Sequence, residues 1–424
     1  ITKDNTGVEY YATIFAVNES KQEDGLIWTG SDDGLVHVTR DGGKNWTNVT
    51  PKKMPEWMMI NCIEIDPFTK GGAYIVGTKY KSGDYLPYVY KTENYGKSWK
   101  LITNGIGPED FTRALRADPK RKGLLYAGTE RGMYISFDDG NNWKKFQLNL
   151  PIVPITDLAI KNNNLIAATQ GSSFWMIDDL TPFHQLNTRI IKEDVILFKP
   201  HDSYRMSGGN GRTSKTAGTN HPGGVAINYF IKEKDKKEVV SIQIFNSNDQ
   251  LIKTFSTKPN KDKKEAKLNT ENANNIFYWD MMYPGAEKVK GTILWWASLN
   301  GPMALPGNYK VSLQVGETTK SQNFTILKNP ISETNLADAT AQFNFINDIN
   351  TKITKLTNSK DIKNISNKLD IIDLIILSKL EKSKSEIRRL IKGNAVKIND
   401  NIVSDEKLII TNESFNENYL KLSI

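Results

Sequence analysis

Between residues 20 and 180 one short pattern recurs four times: Leu26-Ile27-Trp28-Thr29-Gly30-Ser31, Tyr74-Ile75-Val76-Gly77-Thr78, Leu124-Leu125-Tyr126-Ala127-Gly128-Thr129 and Leu165-Ile166-Ala167-Ala168-Thr169. Each is a strand-length apolar run that reaches a small residue near its end, which predicts a buried strand. The equivalent positions Gly30, Gly77, Gly128 and Ala168 are 47, 51 and 40 residues apart. Four-stranded propeller blades repeat at about that period, roughly 40 to 50 residues. Residues 1–192 are therefore expected to form a partial β-propeller of about four blades.

A second element follows the strand in three of the four units: Ser or Thr, x, Asp or Asn, x, Gly, x, x, Trp. It reads Thr39 to Trp46, Thr92 to Trp99 and Ser136 to Trp143. In a tight turn the acidic or amide side chain (Asp41, Asn94, Asp138) can accept backbone N–H bonds. The glycine (Gly43, Gly96, Gly140) can take the positive φ of the reversal. The tryptophan (Trp46, Trp99, Trp143) can pack back onto the sheet. The fourth unit, ending Phe174-Trp175-Met176-Ile177-Asp178-Asp179, lacks the pattern.

The turn pattern is that of the Asp box of bacterial neuraminidase repeats, and this half resembles the propellers of sialidases, sortilin-like receptors and tandem-propeller glucanases. By Met54-Pro55-Glu56-Trp57-Met58-Met59-Ile60 and Tyr90-Lys91-Thr92 it is most similar to secreted bacterial proteins of the sortilin-like, glycosyl-hydrolase-like class. Asn94 departs from the family's Asp, keeping the acceptor without the charge. The resemblance implies that the boxes are structural and that a glycan or protein ligand binds the propeller. It also implies more blades than four, so earlier blades are expected before Ile1. Arg113 and Arg116 are the nearest approach to a sialidase arginine set, and neither they nor Arg121 and Arg131 form its triad. Asp32 and Asp33 read as turn formers rather than a glycosidase pair, because adjacent strand residues point to opposite faces. No catalytic residue is assigned.

Residues 193–224 read as a linker, and its Ser207-to-Thr213 glycine-rich stretch lacks the frame of a phosphate loop. Alternating runs at Val225–Ile231, Val239–Phe245, Leu251–Phe255, Asn275–Asp280 and Pro306–Leu313 predict a sandwich over 225–328. Phe277-Tyr278-Trp279-Asp280 and Pro306-Gly307-Asn308-Tyr309 resemble the flagellar-hook-type Ig-like domain that follows such propellers. The period changes to helical over 335–369, with Phe343, Ile346, Ile349 and Ile353 on one stripe.

From 370 to 424 the chain changes character. Ser383 and Glu386 form a capping box that opens a helix, with Ile387, Leu390 and Ile391 facing inward and Lys384, Arg388, Arg389 and Lys392 outward. Gly393 or Asn394 stops it, and Val396 to Val403 is a hairpin with an Asn-Asp-Asn turn. Residues 378–397 hold seven basic and two acidic side chains, although 370–424 balances at nine each. This is close to the S-four-type RNA-binding module, most similar to that at the C-terminus of bacterial tyrosyl-tRNA synthetases. The resemblance implies RNA contact through Lys382, Lys384, Arg388, Arg389, Lys392 and Lys397. No His-Ile-Gly-His element accompanies it, which excludes tRNA charging by this chain, and the module ends short of its relatives' last basic strand.

The fold class expected is thus mainly β: a partial propeller, an Ig-like sandwich, a helical segment and a small α+β module. The two resemblances imply different compartments, secreted or periplasmic for 1–369 and cytoplasmic for the tail, so the join near residue 370 is read as a chimera. The 424 residues carry 56 Lys plus Arg and 48 Asp plus Glu, a net +8, best explained by dispersed solvated lysines. A single cysteine, Cys62, forbids an intrachain disulfide and a multi-cysteine metal site, and no cofactor or metal is expected. No apolar run is long enough to span a bilayer.

Overall fold

In the computed structural model, residues 12–209, 220–233, 238–261, 265–287, 298–358, 369–410, 414 and 420–424 are described. The chain divides into two compact units, Ile1–Glu193 and Asp194–Ile424. Asn210 to Thr213 of the glycine-rich stretch, and residues 359–368 ahead of the expected join, lie outside the described residues.

The first unit is a partial β-propeller of four consecutive antiparallel sheets, each ordered as its strands follow in sequence. The inner strands Ile14–Glu19, Met59–Ile65, Thr112–Ala117 and Ile155–Lys161 lie next to one another in turn. Apolar faces of adjacent blades share cores: Leu26, Trp28, Val36 and Val38 of the first pack with Met58, Ile60 and Ile63 of the second. The repeated small residue has a reason at Gly30 and Gly128. A Cβ there would lie 2.4 Å and 2.7 Å from the Cγ2 atoms of Ile60 and Ile155 on the following blade's inner strand. Ala168, by contrast, occupies the equivalent position of the fourth blade, where no fifth sheet packs among the described residues. That blade has three strands, and the chain leaves it as a short helix α1, Thr181–Gln185.

The second unit begins within the stretch expected to be linker. Its apolar Val195–Leu197 pairs with Tyr229–Ile231, and Ser203–Tyr204 pairs with Ile326–Leu327, so both join sheets. A three-stranded sheet (195–197, 225–231, 273–279) faces a six-stranded one. Inward residues Val225, Ile227, Tyr229 and Ile231 share one core with Val240, Ile242, Ile244, Trp279 and Phe324, a two-sheet sandwich. Gly307–Val315 and Thr318–Leu327 form its longest hairpin.

Helix α2, Leu336–Asn358, follows. Phe343 meets Tyr283 edge-on at 4.8 Å and Asn350 Nδ2 donates to the Asn300 carbonyl at 3.1 Å, whereas Ile349 is exposed. The last piece is a small α+β module of helices α3, Ile371–Leu377, and α4, Lys384–Lys392, with short strand pairs. Ile371, Ile375, Ile387, Ile391, Val396, Val403 and Ile410 form its core. Among the described residues no helix is long and apolar enough to cross a membrane.

Candidate functional site

The three tryptophan turns have the same internal bonding. Gly43, Gly96 and Gly140 amides donate to the hydroxyls of Thr39, Thr92 and Ser136 at 3.0, 3.1 and 2.9 Å. Those hydroxyls donate to Asp41, Asn94 and Asp138 at 2.7, 3.0 and 2.8 Å. The same carboxylate or amide oxygen then accepts the amide of Asn45, Ser98 or Asn142. Asn94 thus does with its amide oxygen what the aspartates do. Bonds from Asn45, then Thr39, hold the Asp41 carboxyl down at about 2, although the residue is exposed.

The tryptophans differ. Trp99 Nε1 donates to the Val49 carbonyl of the preceding blade at 2.7 Å, and Trp143 Nε1 to Ile102 at 2.7 Å. Trp46 donates to Gly43 of its own turn at 3.1 Å and is 44% exposed, against 4% for Trp143.

Every inner strand carries a bulge at the same level. The extra residue is Phe15, Asn61, Arg113 and Thr156 in successive blades. A bulge re-aims the side chain it carries, and the repetition makes these four a structural set. No motif marks them, because register is a property of paired strands.

Below the bulges, Arg116 gathers residues of three blades. Its Nη2 donates to Asp157 Oδ1 at 2.7 Å, its Nη1 to Cys62 Sγ at 3.1 Å, and Glu64 Oε2 lies 3.7 Å away. Burial is the main cause that pushes the Glu64 carboxyl up to about 7, outweighing Arg116 and the Ala117 amide. Burial also raises the Cys62 thiol above its ordinary value. No arginine triad forms: Arg113 instead pairs with Glu130 at 2.6 Å, Arg131 with Asp110 at 2.7 Å, and Arg121 stacks on Phe137. Asp32 accepts the Thr13 amide, tying its turn to the start of the inner strand, and Asp33 accepts the Ser31 hydroxyl within the turn.

Beside the bulge residue Arg113 sits an aromatic platform at the strand ends opposite the tryptophan turns. Tyr80 stacks on Phe111 at 5.2 Å, Tyr85 lies 6.2 Å from Phe111, and the Arg113 guanidinium is 5.1 Å from the Phe111 ring and 5.6 Å from Tyr80. Tyr85 and Leu86 are about half exposed, at 53% and 48%. Phe111 is buried, so the surface shown is the exposed Tyr85 and Leu86 on a stacked Tyr80–Phe111 support, with the Arg113 guanidinium held by Glu130 at its edge, an apolar patch with a charged margin suited to sugar rings or to protein side chains. No group of three or more potential metal ligands occurs among the described residues.

In the C-terminal module, Ser383 Oγ accepts the Glu386 amide at 3.3 Å and α4 stops at Asn394, φ 56°. Asn399 and Asp400, φ 49° and 68°, make the hairpin turn. The folded chain neutralises half of the basic set. Lys384 pairs with Asp373 at 3.0 Å, Arg389 with Glu386 at 2.5 Å, and Arg388 lies 3.9 Å from Glu406. Lys392 and Lys397 are exposed with no acidic partner among the described residues, and the exposed Lys382 has only its chain neighbour Glu381.

No family model matches the chain. The tyrosine–tRNA ligase of Pelagibacter ubique (strain HTCC1062) is 62% identical over 48 residues, 11% of this chain and 12% of that protein. The chain thus spans about an eighth of the length of the curated relative it matches. Among solved structures, YCF48 bound to D1 peptide is 22% identical over 39% of this chain and 52% of its own, with a TM-score of 0.32. YCF48 from Cyanidioschyzon merolae is 17% identical over 53% and 68%, TM-score 0.30. An ancestral GH74 enzyme is 14% identical over 57% and 32%, TM-score 0.31. These likenesses are partial, and the propeller architecture stands on the strand order described above.

Proposed function

We propose that the first unit is a ligand-binding propeller scaffold, part of a secreted, sortilin-like and glycosyl-hydrolase-like protein, that takes a glycan or protein ligand. The observation that carries the reading is the exposed Tyr85 and Leu86 on the stacked Tyr80–Phe111 pair, with Arg113 at its edge. The three identically bonded turns support the Asp-box assignment. Glycan and peptide arrays probed with the full chain test it. Ligand signal is expected to fall about tenfold on Tyr85→Ala, the scale at which an aromatic contact of about 1.4 kcal/mol is lost. Binding indifferent to both Tyr85→Ala and Arg113→Ala would sink the reading.

A second reading, RNA binding through residues 370–424, is favoured by the 48-residue identity with a tyrosine–tRNA ligase. In it the exposed Lys382, Lys392 and Lys397 make the phosphate contacts. Anisotropy of labelled tRNA at increasing salt tests this: Lys392→Ala is expected to flatten the log–log salt slope by about one. Arg389→Ala, which also frees Glu386, is expected to change it less. Absence of salt-dependent binding by the full chain would refute it.

A further inference from the structure

The first three blades each carry a short fourth strand: Thr47–Asn48 on His37–Val38, Lys100–Leu101 on Tyr90–Lys91, and Lys144–Lys145 on Tyr134–Ile135. Each strand is preceded by the turn tryptophan and followed by an apolar residue, giving Trp46-x-x-Val49, Trp99-x-x-Ile102 and Trp143-x-x-Phe146. In the fourth blade the outer edge of Phe174–Ile177 has no such partner among the described residues. An unpaired edge is a template for another strand.

Beside this edge lies a shallow, partly open cleft lined by Phe146, Gln147, Leu148, Leu165, Trp175 and Ile177 among others. Its position is the repeat equivalent of the Trp143 socket. In the third blade Trp143 donates its indole N–H to the Ile102 carbonyl at 2.7 Å and its backbone N–H to Asn104 at 2.9 Å. Ile102 to Asn104 follow the second blade's fourth strand as Phe146 to Leu148 follow the third's. Helix α1 fills only the neighbouring turn position. Phe183 packs on Phe146 at 5.4 Å, where in the previous blade Gly140 abuts Ile102.

We infer that this lane receives an extended peptide from another polypeptide, of the form aromatic-x-x-apolar. It adds as a fourth strand to Phe174–Ile177 and seats its aromatic ring in the cleft. The backbone supplies strand-addition hydrogen bonds and the cleft supplies selectivity. Three blades of this chain hold a strand of this form in the lane, and in two of them, at Trp99 and Trp143, the ring is seated against the preceding blade, which shows what fits it. The site is separate from the Tyr80 platform, so failure of either leaves the other standing.

The test uses the full chain and a fluorescein-labelled peptide copying Asp138 to Gln147, read by anisotropy. Saturable binding is expected, weakened at least about tenfold when the peptide carries Trp143→Ala and lost with Lys144→Pro, which cannot complete the ladder. Leu148 is 67% exposed, so Leu148→Asp in the protein leaves the fold intact and is expected to weaken binding about tenfold, whereas Leu148→Met binds as wild type. Circular dichroism checks the fold of each variant. No saturable binding, or binding unmoved by Leu148→Asp, overturns the inference. So does self-association of the protein that Leu148→Asp abolishes, since a second copy then fills the lane.

Discussion

Trp46 and Trp143 occupy the same position of the same motif, yet they are expected to differ severalfold in what they contribute to stability. Trp143 is 4% exposed and donates across the blade interface to Ile102. A buried tryptophan covers about 200 Å², which at about 25 cal/mol per Å² is near 5 kcal/mol, consistent with roughly 3–5 kcal/mol for Trp→Ala in cores. Trp143→Ala also strands the Ile102 carbonyl, so about 4 kcal/mol is expected. Trp46 is 44% exposed and bonds only within its turn. Its removal opens no cavity between blades, and about 1 kcal/mol is expected. Amide hydrogen exchange resolved by mass spectrometry reads this at the strands Leu125–Thr129 and Gly132–Ser136 of the full chain. About 4 kcal/mol raises their opening equilibrium roughly a thousandfold. Equal acceleration by Trp46→Ala and Trp143→Ala would refute the argument that blade stacking, rather than the turn, sets the value of the tryptophan.

Two further outcomes follow from the site geometry. Glu64 has a carboxyl raised to about 7, so the folded state holds its proton more tightly than the unfolded chain. Stability from this group is full below about 4.5 and falls by at most about 3 kcal/mol as pH rises through 7. Urea unfolding of wild type and Glu64→Gln should therefore diverge from pH 5 to pH 8 in favour of the variant, and a constant difference refutes the burial argument. Asp138→Asn should change stability by less than about 0.5 kcal/mol, because Asn94 already makes the equivalent bonds. Asp138→Ala, which loses the Ser136 and Asn142 bonds, should cost about 1–2 kcal/mol by thermal unfolding.

What the sequence by itself determined is periodic and local. The buried second strands, the three turns and the stop of α4 near Asn394 follow from residues whose jobs are set within a few positions: an acceptor, a glycine, an apolar alternation. The repeat spacing was enough to place four blades. What only the tertiary structure decided depends on neighbours distant in sequence. Strand register created the bulges at Phe15, Asn61, Arg113 and Thr156. Blade stacking separated Trp46 from Trp143, and convergence of three blades brought Cys62, Glu64, Arg116 and Asp157 together. Charge shows the same division. A count along residues 378–397 finds a basic patch, while the fold sets Asp373 and Glu406 against Lys384 and Arg388, because electrostatic partners are chosen by distance in space and not by distance along the chain.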